Sequence, residues 1–191
     1  MNDLAFYFKE GWLHIISLNA LDHQLFIIAL AAVYLLKNWK QVLILVTAFT
    51  IGHSITLALS VYNILRINEK WVEFLIPCTI IVTSIFNFTK KDFDEKKLNL
   101  NYFLALFFGL IHGLGFANTI RFMLAKNQTI GWSLFGFNVG LEAGQILIVS
   151  LILLASYLAV TVAGLKRKWW VFALSSCAFI ISLKFAIERI P

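Results

Sequence analysis

Long apolar runs separated by short polar connections dominate the pattern of the chain. Six runs are long and apolar enough to cross a bilayer as helices, namely residues 20–36, 41–65, 71–88, 102–125, a fifth that follows a turn at 128–132 and ends at Ala163, and 169–187. Residues 4–18 are also apolar, but Lys9, Glu10 and His14 interrupt them, which predicts a short helix lying at the membrane interface. The pattern therefore predicts an all-α polytopic bundle of about six transmembrane helices, forming one integral membrane domain over residues 1–191.

The composition supports a membrane protein. Hydrophobic residues make up 60% of the chain and charged residues only 14%, with a mean hydropathy of +0.83, so there is too little polar surface for a water-soluble domain. The net charge of +6 comes from Lys and Arg in short patches between the apolar runs and not from one basic face. Nucleic acid is therefore excluded as the expected partner, and membrane lipid is expected instead.

The basic residues also predict an orientation. Five lie on one side of the six predicted spans, and nine lie in the loops after spans one, three and five, namely Lys37, Lys40, Lys90, Lys91, Lys96, Lys97, Lys166, Arg167 and Lys168. By the positive-inside rule the nine face the cytoplasm, which places both termini outside. The charge run at 90–97 is typical of a solvated loop.

Ionisable side chains occur inside these apolar runs, where they are costly. His53 and His112 fall near the middle of their runs, Asp22 and His23 open the first span, and the set is completed by Glu73 and His14 near the predicted outer face. A carboxylate at the centre of a membrane helix costs about 2.5 to 3.5 kcal/mol on insertion scales, so helices carrying such groups are expected to turn them toward one another.

The fifth span carries a second polar stripe. Asn138, Glu142 and Gln145 share one helical face, and the glycines at 136, 140 and 144 allow another helix to approach closely. Ser54 adjoins His53, and Gly113 adjoins His112. One interpretation is a common polar interior, and the other is that the glycines only pack while the polar groups bridge neighbouring helices.

Imidazole and carboxylate groups together suit a divalent first-row metal. All four histidines of the chain belong to this set, and their chemistry favours Ni²⁺, Zn²⁺ or Co²⁺. Thiolate and thioether ligands are not part of it, which disfavours Cu(I).

Several motifs resemble one family. TAFTIGHSITL at 47–57, FGLIHGLGFA at 108–117 and FNVGLEAGQ at 137–145 are similar to signatures of the HupE/UreJ family of hydrogenase and urease accessory membrane proteins. LDHQLF at 21–26 and the Val72–Glu73 pair are similar to further segments of that family. The resemblance covers spans one to five.

The resemblance implies a nickel permease of the bacterial inner membrane. It implies that the ion is handled by His23, His53, His112, Asp22, Glu73 and Glu142, with metalloenzyme maturation partners or a homo-oligomer as expected partners. One departure concerns His14, because the family is described by His-x5-Asp-His whereas seven residues separate His14 from Asp22 here. His14 is therefore either the equivalent histidine on a longer turn or a residue with another role.

Two other functions use the same residues. An intramembrane zinc hydrolase would hold Zn²⁺ with three ligands and use Glu142 as general base. A non-transporting assembly factor would only scaffold its partners. The permease is the preferred hypothesis, and an enzyme is the less favoured one.

Overall fold

The computed structural model describes residues 3–90, 99–123 and 130–191, and in these ranges it is entirely helical. The helices are α1 (Asp3–Ile16), α2 (Leu21–Ala31), α3 (Trp39–Val61), α4 (Glu69–Thr89), α5 (Asn99–Gly115), α6 (Ala117–Met123), α7 (Ile130–Ser156) and α8 (Arg167–Glu188). A π-helical turn at Tyr157–Val162 extends α7. Most of the predicted loop at 90–97, and the first two residues of the turn at 128–132, lie outside the described residues.

The prediction of an all-α polytopic membrane protein is confirmed. Within the described residues, four helical segments are long and apolar enough to cross a membrane, namely Leu36–Val61, Glu69–Thr89, Ile130–Val162 and Arg167–Glu188. A fifth is counted if α1 and α2, which are bent by 67° at their junction, form one broken span. The remaining apolar helix, α5, is shorter than a full crossing.

Two of the six predicted spans are therefore built differently from the prediction. The run at 20–36 contains only the 11-residue helix α2, which ends at Ala31 and joins α1 in the bent pair. The run at 102–125 is divided by a turn at Phe116 between α5 and α6, directly after Gly115. Glycine is a poor helix former, so helical continuity is weakest at such a position, but hydropathy alone does not show the break.

The structure also changes the position expected for α1. Successive glycines of α7 pack against successive positions of α1. The two helices therefore run parallel and in close contact. A Cβ atom added to Gly136 would lie 2.8 Å from the carbonyl oxygen of Leu4, and one added to Gly144 would lie 3.1 Å from a side-chain carbon of Ile15. The close helix contact expected at these glycines is present, and its partner is α1. The prediction that α1 lies flat at the membrane interface is therefore wrong, because α1 packs lengthwise against the membrane-crossing helix α7.

A second parallel pair is formed by α3 and α5. Gly109 packs on the backbone of Phe49, and Gly113 packs one turn further on the backbone of His53. Because neither glycine carries a side chain, the two helix backbones approach directly. This pair brings His53 and His112 to the same level of the bundle.

The α4 helix joins the rest of the bundle through a buried amide. The Asn87 side chain donates hydrogen bonds to the Ala29 carbonyl of α2 at 2.7 Å and to the Ser175 hydroxyl of α8 at 3.0 Å. A buried amide left unpaired would be costly, so these bonds fix α4 between the two helices.

Candidate metal site

All four histidines of the chain meet in the interior, although they belong to four different helices. The ring centroid of His23 lies 4.7 Å from that of His14, 5.9 Å from that of His53 and 5.0 Å from that of His112. The rings of His53 and His112 are fully buried. The structure thus brings together side chains that are as far as 98 positions apart in the sequence, from His14 to His112.

Three of these histidines have the geometry of a metal-ligand group. One ring nitrogen from each of His14, His23 and His53 lies within 4.8 Å of the others. Nε2 of His14 and of His23, and both ring nitrogens of His53, are buried and have no hydrogen-bond partner within the described part of the chain. Buried polar groups are normally paired, so unpaired nitrogens converging on one point are what a metal site requires.

The fourth histidine is oriented by a threonine. The Thr79 hydroxyl donates to the Ile76 carbonyl at 2.7 Å, and its oxygen lies 3.1 Å from Nε2 of His112. Since the only hydroxyl hydrogen is already donated, the oxygen accepts from Nε2–H of His112. Nδ1 of His112, which is buried without a partner in the described ranges, therefore keeps its lone pair free for a cation.

A cavity of about 320 Å³ leads to the histidines. Its walls include His14, His23 and His112 at the inner end, and Asp22, Glu73 and Arg189 also line it. We refer to Asp22, Glu73 and Arg189 as the mouth. Glu73 is exposed, whereas the histidines are buried or half-buried. One end of the cavity is therefore charged and solvated, and the other end is enclosed.

The mouth contains an ion pair. Nη1 of Arg189 lies 2.8 Å from Oδ2 of Asp22, and the two side chains are 29% and 16% exposed. The other carboxylate oxygen of Asp22, Oδ1, is buried and unpaired within the described residues. Oδ1 of Asp22 is thus available to a cation, while Oδ2 is held by the arginine.

Aromatic side chains close the opposite side of the histidines. Phe26 and Phe49 stack with centroids 4.9 Å apart, Phe108 meets Phe26 edge-on at 5.8 Å, and Phe49 lies 5.2 Å from His112. We call Phe26, Phe49 and Phe108 the aromatic seal. All three are at most 5% exposed.

The polar stripe of α7 lies beside α3 and not in the cavity wall. Glu142 accepts a hydrogen bond from Thr47 at 2.7 Å, and Gln145 accepts one from Thr50 at 2.8 Å. Asn138 has a buried amide oxygen with no partner among the described residues. Glu142 and Gln145 are thus held within one or two helical turns of His53 along α3, but they are separate from the three-histidine group.

Two further predicted residues have local roles in the structure. The Ser54 hydroxyl donates to the Thr50 carbonyl of its own helix at 2.6 Å, and Gly113 provides close contact with α3. Neither Ser54 nor Gly113 lines the cavity, so these two residues support the site only by packing the helices that carry the histidines.

Three residues around the site have no counterpart in the sequence-based prediction. Thr79 orients His112, Arg189 pairs with Asp22, and the Phe116 ring lies against His14 with ring centroids 3.9 Å apart. A threonine, a terminal arginine and a phenylalanine are ordinary in membrane helices, so their residue types carried no signal. Arg189 lies 167 positions from its partner, which only the fold reveals.

The fold and the site together define a polytopic helical membrane protein with a buried histidine cluster that could hold a metal ion. The family model described as HupE / UreJ protein matches residues 1–189, so the chain belongs to the HupE/UreJ family. This confirms the family expected from the motifs. Comparison with curated proteins and with solved structures found no match.

Proposed function

We propose that the protein is a permease that carries a divalent transition-metal cation into the cell, with nickel as its substrate. The observation that carries the proposal is the group of buried imidazole nitrogens from His14, His23 and His53, since His14 and His23 also line the cavity that opens at the mouth. A site for a travelling ion needs ligands that can replace water and a route by which the ion reaches them. The cluster supplies the ligands and the cavity supplies the route.

The cation would first meet the carboxylates of the mouth. Asp22 and Glu73 attract a positive ion and offer oxygen ligands while it still keeps part of its water. The ion would then pass to the imidazoles, which bind a borderline divalent metal more strongly than oxygen ligands do. Membrane potential favours inward movement of a cation by about 2.3 kcal/mol per charge per 100 mV.

Release to the other side requires a second conformation. The aromatic seal gives a hydrated cation no polar partner, whereas the cavity connects His14, His23 and His112 with the mouth. Glu142 and Gln145, bonded to α3 one to two turns from His53, offer oxygen ligands for the next step of the path. The proposal assigns the mouth to the outside, in agreement with the distribution of basic residues.

Nickel is proposed over zinc and cobalt because of the family to which the chain belongs. The HupE/UreJ match covers nearly the whole chain, and the resemblance to hydrogenase and urease accessory proteins points to nickel enzymes. The ligand types by themselves suit Ni²⁺, Zn²⁺ and Co²⁺ alike. Competition by excess Zn²⁺ or Co²⁺ during nickel uptake would rank the three metals.

The test is cellular uptake of radioactive Ni²⁺ by the wild type and by His53→Ala. His53 has two unpaired buried nitrogens, so its removal should reduce uptake to the background of cells without the protein. Ser60→Ala is the matched control, because Ser60 is buried on the same helix and is not a histidine-site residue. Unchanged uptake in His53→Ala at normal expression would refute the permease.

The zinc hydrolase remains the second candidate, since a group of three histidines, two of which line a cavity, also resembles a catalytic zinc site. The proposed base is unfavourably placed, because Glu142 is bonded to Thr47 and does not line the cavity. Stoichiometric zinc that survives purification would favour the hydrolase, whereas weak exchangeable metal would favour the permease. In an assembly factor, uptake would be independent of the histidines.

A further inference from the structure

We infer that Arg189 is a latch at the mouth, which pairs with Oδ2 of the Asp22 carboxylate and offsets its charge until a divalent cation displaces it. The inference rests on the proposed function, because it assigns a regulating residue to the same metal path. Arg189 follows the last residue of α8 and pairs with the first acidic residue that the cation would meet. Oδ1 of Asp22 is unpaired, but a metal ion bound there would share one negative charge with the guanidinium held at Oδ2, so the two cations repel each other and compete for the same carboxylate.

Arg189 has a second acceptor because of a proline. Pro77 lies inside α4 and has no N–H, so the carbonyl of Glu73, four residues earlier, lacks its helical hydrogen bond. Nη1 of Arg189 lies 3.5 Å from this carbonyl oxygen. The sequence of α4 thus leaves a carbonyl at the mouth that is not used within the helix, and Arg189 contacts it beside the Asp22 carboxylate.

A third contact keeps the guanidinium in place from the side of α8. Its central carbon lies 4.9 Å from the ring centroid of Phe185, within the range of a cation–π interaction. With the Glu73 carbonyl and the Phe185 ring as remaining partners, Arg189 does not have to leave the mouth when Asp22 changes partner. The latch therefore has two arrangements, one paired with Asp22 and one resting on α4 and α8.

The latch would favour divalent over monovalent cations. A monovalent cation brings the same charge as the guanidinium that it must replace and gains little from neutral imidazoles. A divalent transition metal brings twice the charge and binds the nitrogens of His14, His23 and His53 as well. Displacement of Arg189 is consequently more favourable for the proposed substrate than for Na⁺ or K⁺.

The competing explanation is that the pair only ties α8 to α2. The two explanations differ in metal affinity, because a purely structural pair would have no effect on the cation once the protein is folded. A latch lowers affinity for the metal, and its removal raises it.

The experiment is a calorimetric titration of the purified full chain in detergent with Ni²⁺ alone. We expect Arg189→Gln to bind Ni²⁺ about fivefold more tightly, the ratio that corresponds to about 1 kcal/mol for a half-buried ion pair. Lys184→Gln is the matched control, because it removes one positive charge from the same helix at an exposed pair with Glu188. We expect its affinity to equal that of the wild type.

A double-mutant cycle tests whether Arg189 acts through Asp22. In an Asp22→Asn background, Arg189→Gln should leave Ni²⁺ affinity unchanged, since the group that Arg189 competes for is absent. Arg189→Lys keeps the charge with a single point of contact and should give a smaller increase than Arg189→Gln. This variant also provides the measurement if Arg189→Gln fails to fold.

The outcomes separate the latch from the permease. Binding that depends on His53 but is the same in wild type, Arg189→Gln and Arg189→Lys overturns the latch and leaves the permease intact. An equal increase with and without Asp22 also overturns the latch, because it shows a general charge effect. Absence of His53-dependent Ni²⁺ binding in the wild type overturns both proposals.

Discussion

The mouth and the aromatic seal lie on opposite sides of the same histidines and differ in almost every physical property. The mouth has two carboxylates and a guanidinium, and Glu73 in it is exposed. The seal consists of three phenylalanines, each at most 5% exposed; Phe26 contacts the other two rings, and Phe26 and Phe49 lie against His112. One side can accept a hydrated cation and the other cannot.

For the proposed permease, this difference separates the binding of the cation from its translocation. A cation at the histidines can exchange with the mouth through side-chain movements alone, because a cavity is already present. Passage beyond the seal needs movement of packed helices, since the phenylalanines come from α2, α3 and α5. Binding and translocation should therefore respond to different substitutions, and the following predictions test that separation.

The largest expected effect is on stability, from Phe49→Ala in the seal. Removing a fully packed ring leaves a void and should lower the free energy of unfolding by about 3 to 5 kcal/mol. Phe116→Ala is the comparison, because Phe116 already faces the cavity on one side and should cost clearly less. Unfolding of both variants in detergent measures the two values, and equal losses would contradict the contrast between the two regions.

A smaller effect, on metal affinity, is expected for Thr79→Val. The change keeps the shape but removes the hydroxyl that holds His112 with Nδ1 free, and groups that orient metal-binding histidines contribute about tenfold or more to affinity. Ni²⁺ titration of the purified protein measures it. Thr83→Val is the control, since Thr83 makes the same kind of bond to its own helix one turn away and does not touch a histidine. A similar loss in both variants would show that Thr79 only supports α4.

The smallest effect on binding is expected for Glu142→Gln. Glu142 is bonded to Thr47 outside the cavity, so Ni²⁺ affinity at equilibrium should change by less than about twofold. Uptake into cells should nevertheless fall, because the proposal places this carboxylate on the path beyond His53. Ser150→Ala, an exposed polar change on the same helix as Glu142, serves as the control for expression and uptake. A tenfold loss of equilibrium affinity would place Glu142 at the histidine site itself.

The histidine cluster shows how much of the candidate site the hydrophobic and polar pattern could predict. Hydropathy was sufficient to predict an all-helical membrane protein. The cost of burying His53 and His112 was sufficient reason to expect that the ionisable side chains face one another. His14 was harder to place, because its helix was expected at the interface. Only the parallel contact of α1 with α7 brings His14 within reach of His23 and His53.

What the sequence by itself determined is the chemistry of the protein: apolar helices, a few costly imidazoles and carboxylates, and motifs of the HupE/UreJ family, all of which are local properties of composition and spacing. What only the tertiary structure decided is which of these groups meet. The break at Phe116, the pairing of Asp22 with Arg189 and the separation of Glu142 from the cavity depend on contacts between distant helices. Such contacts are set by backbone approach at glycines and by competition among many helix pairings, which no single stretch of sequence encodes.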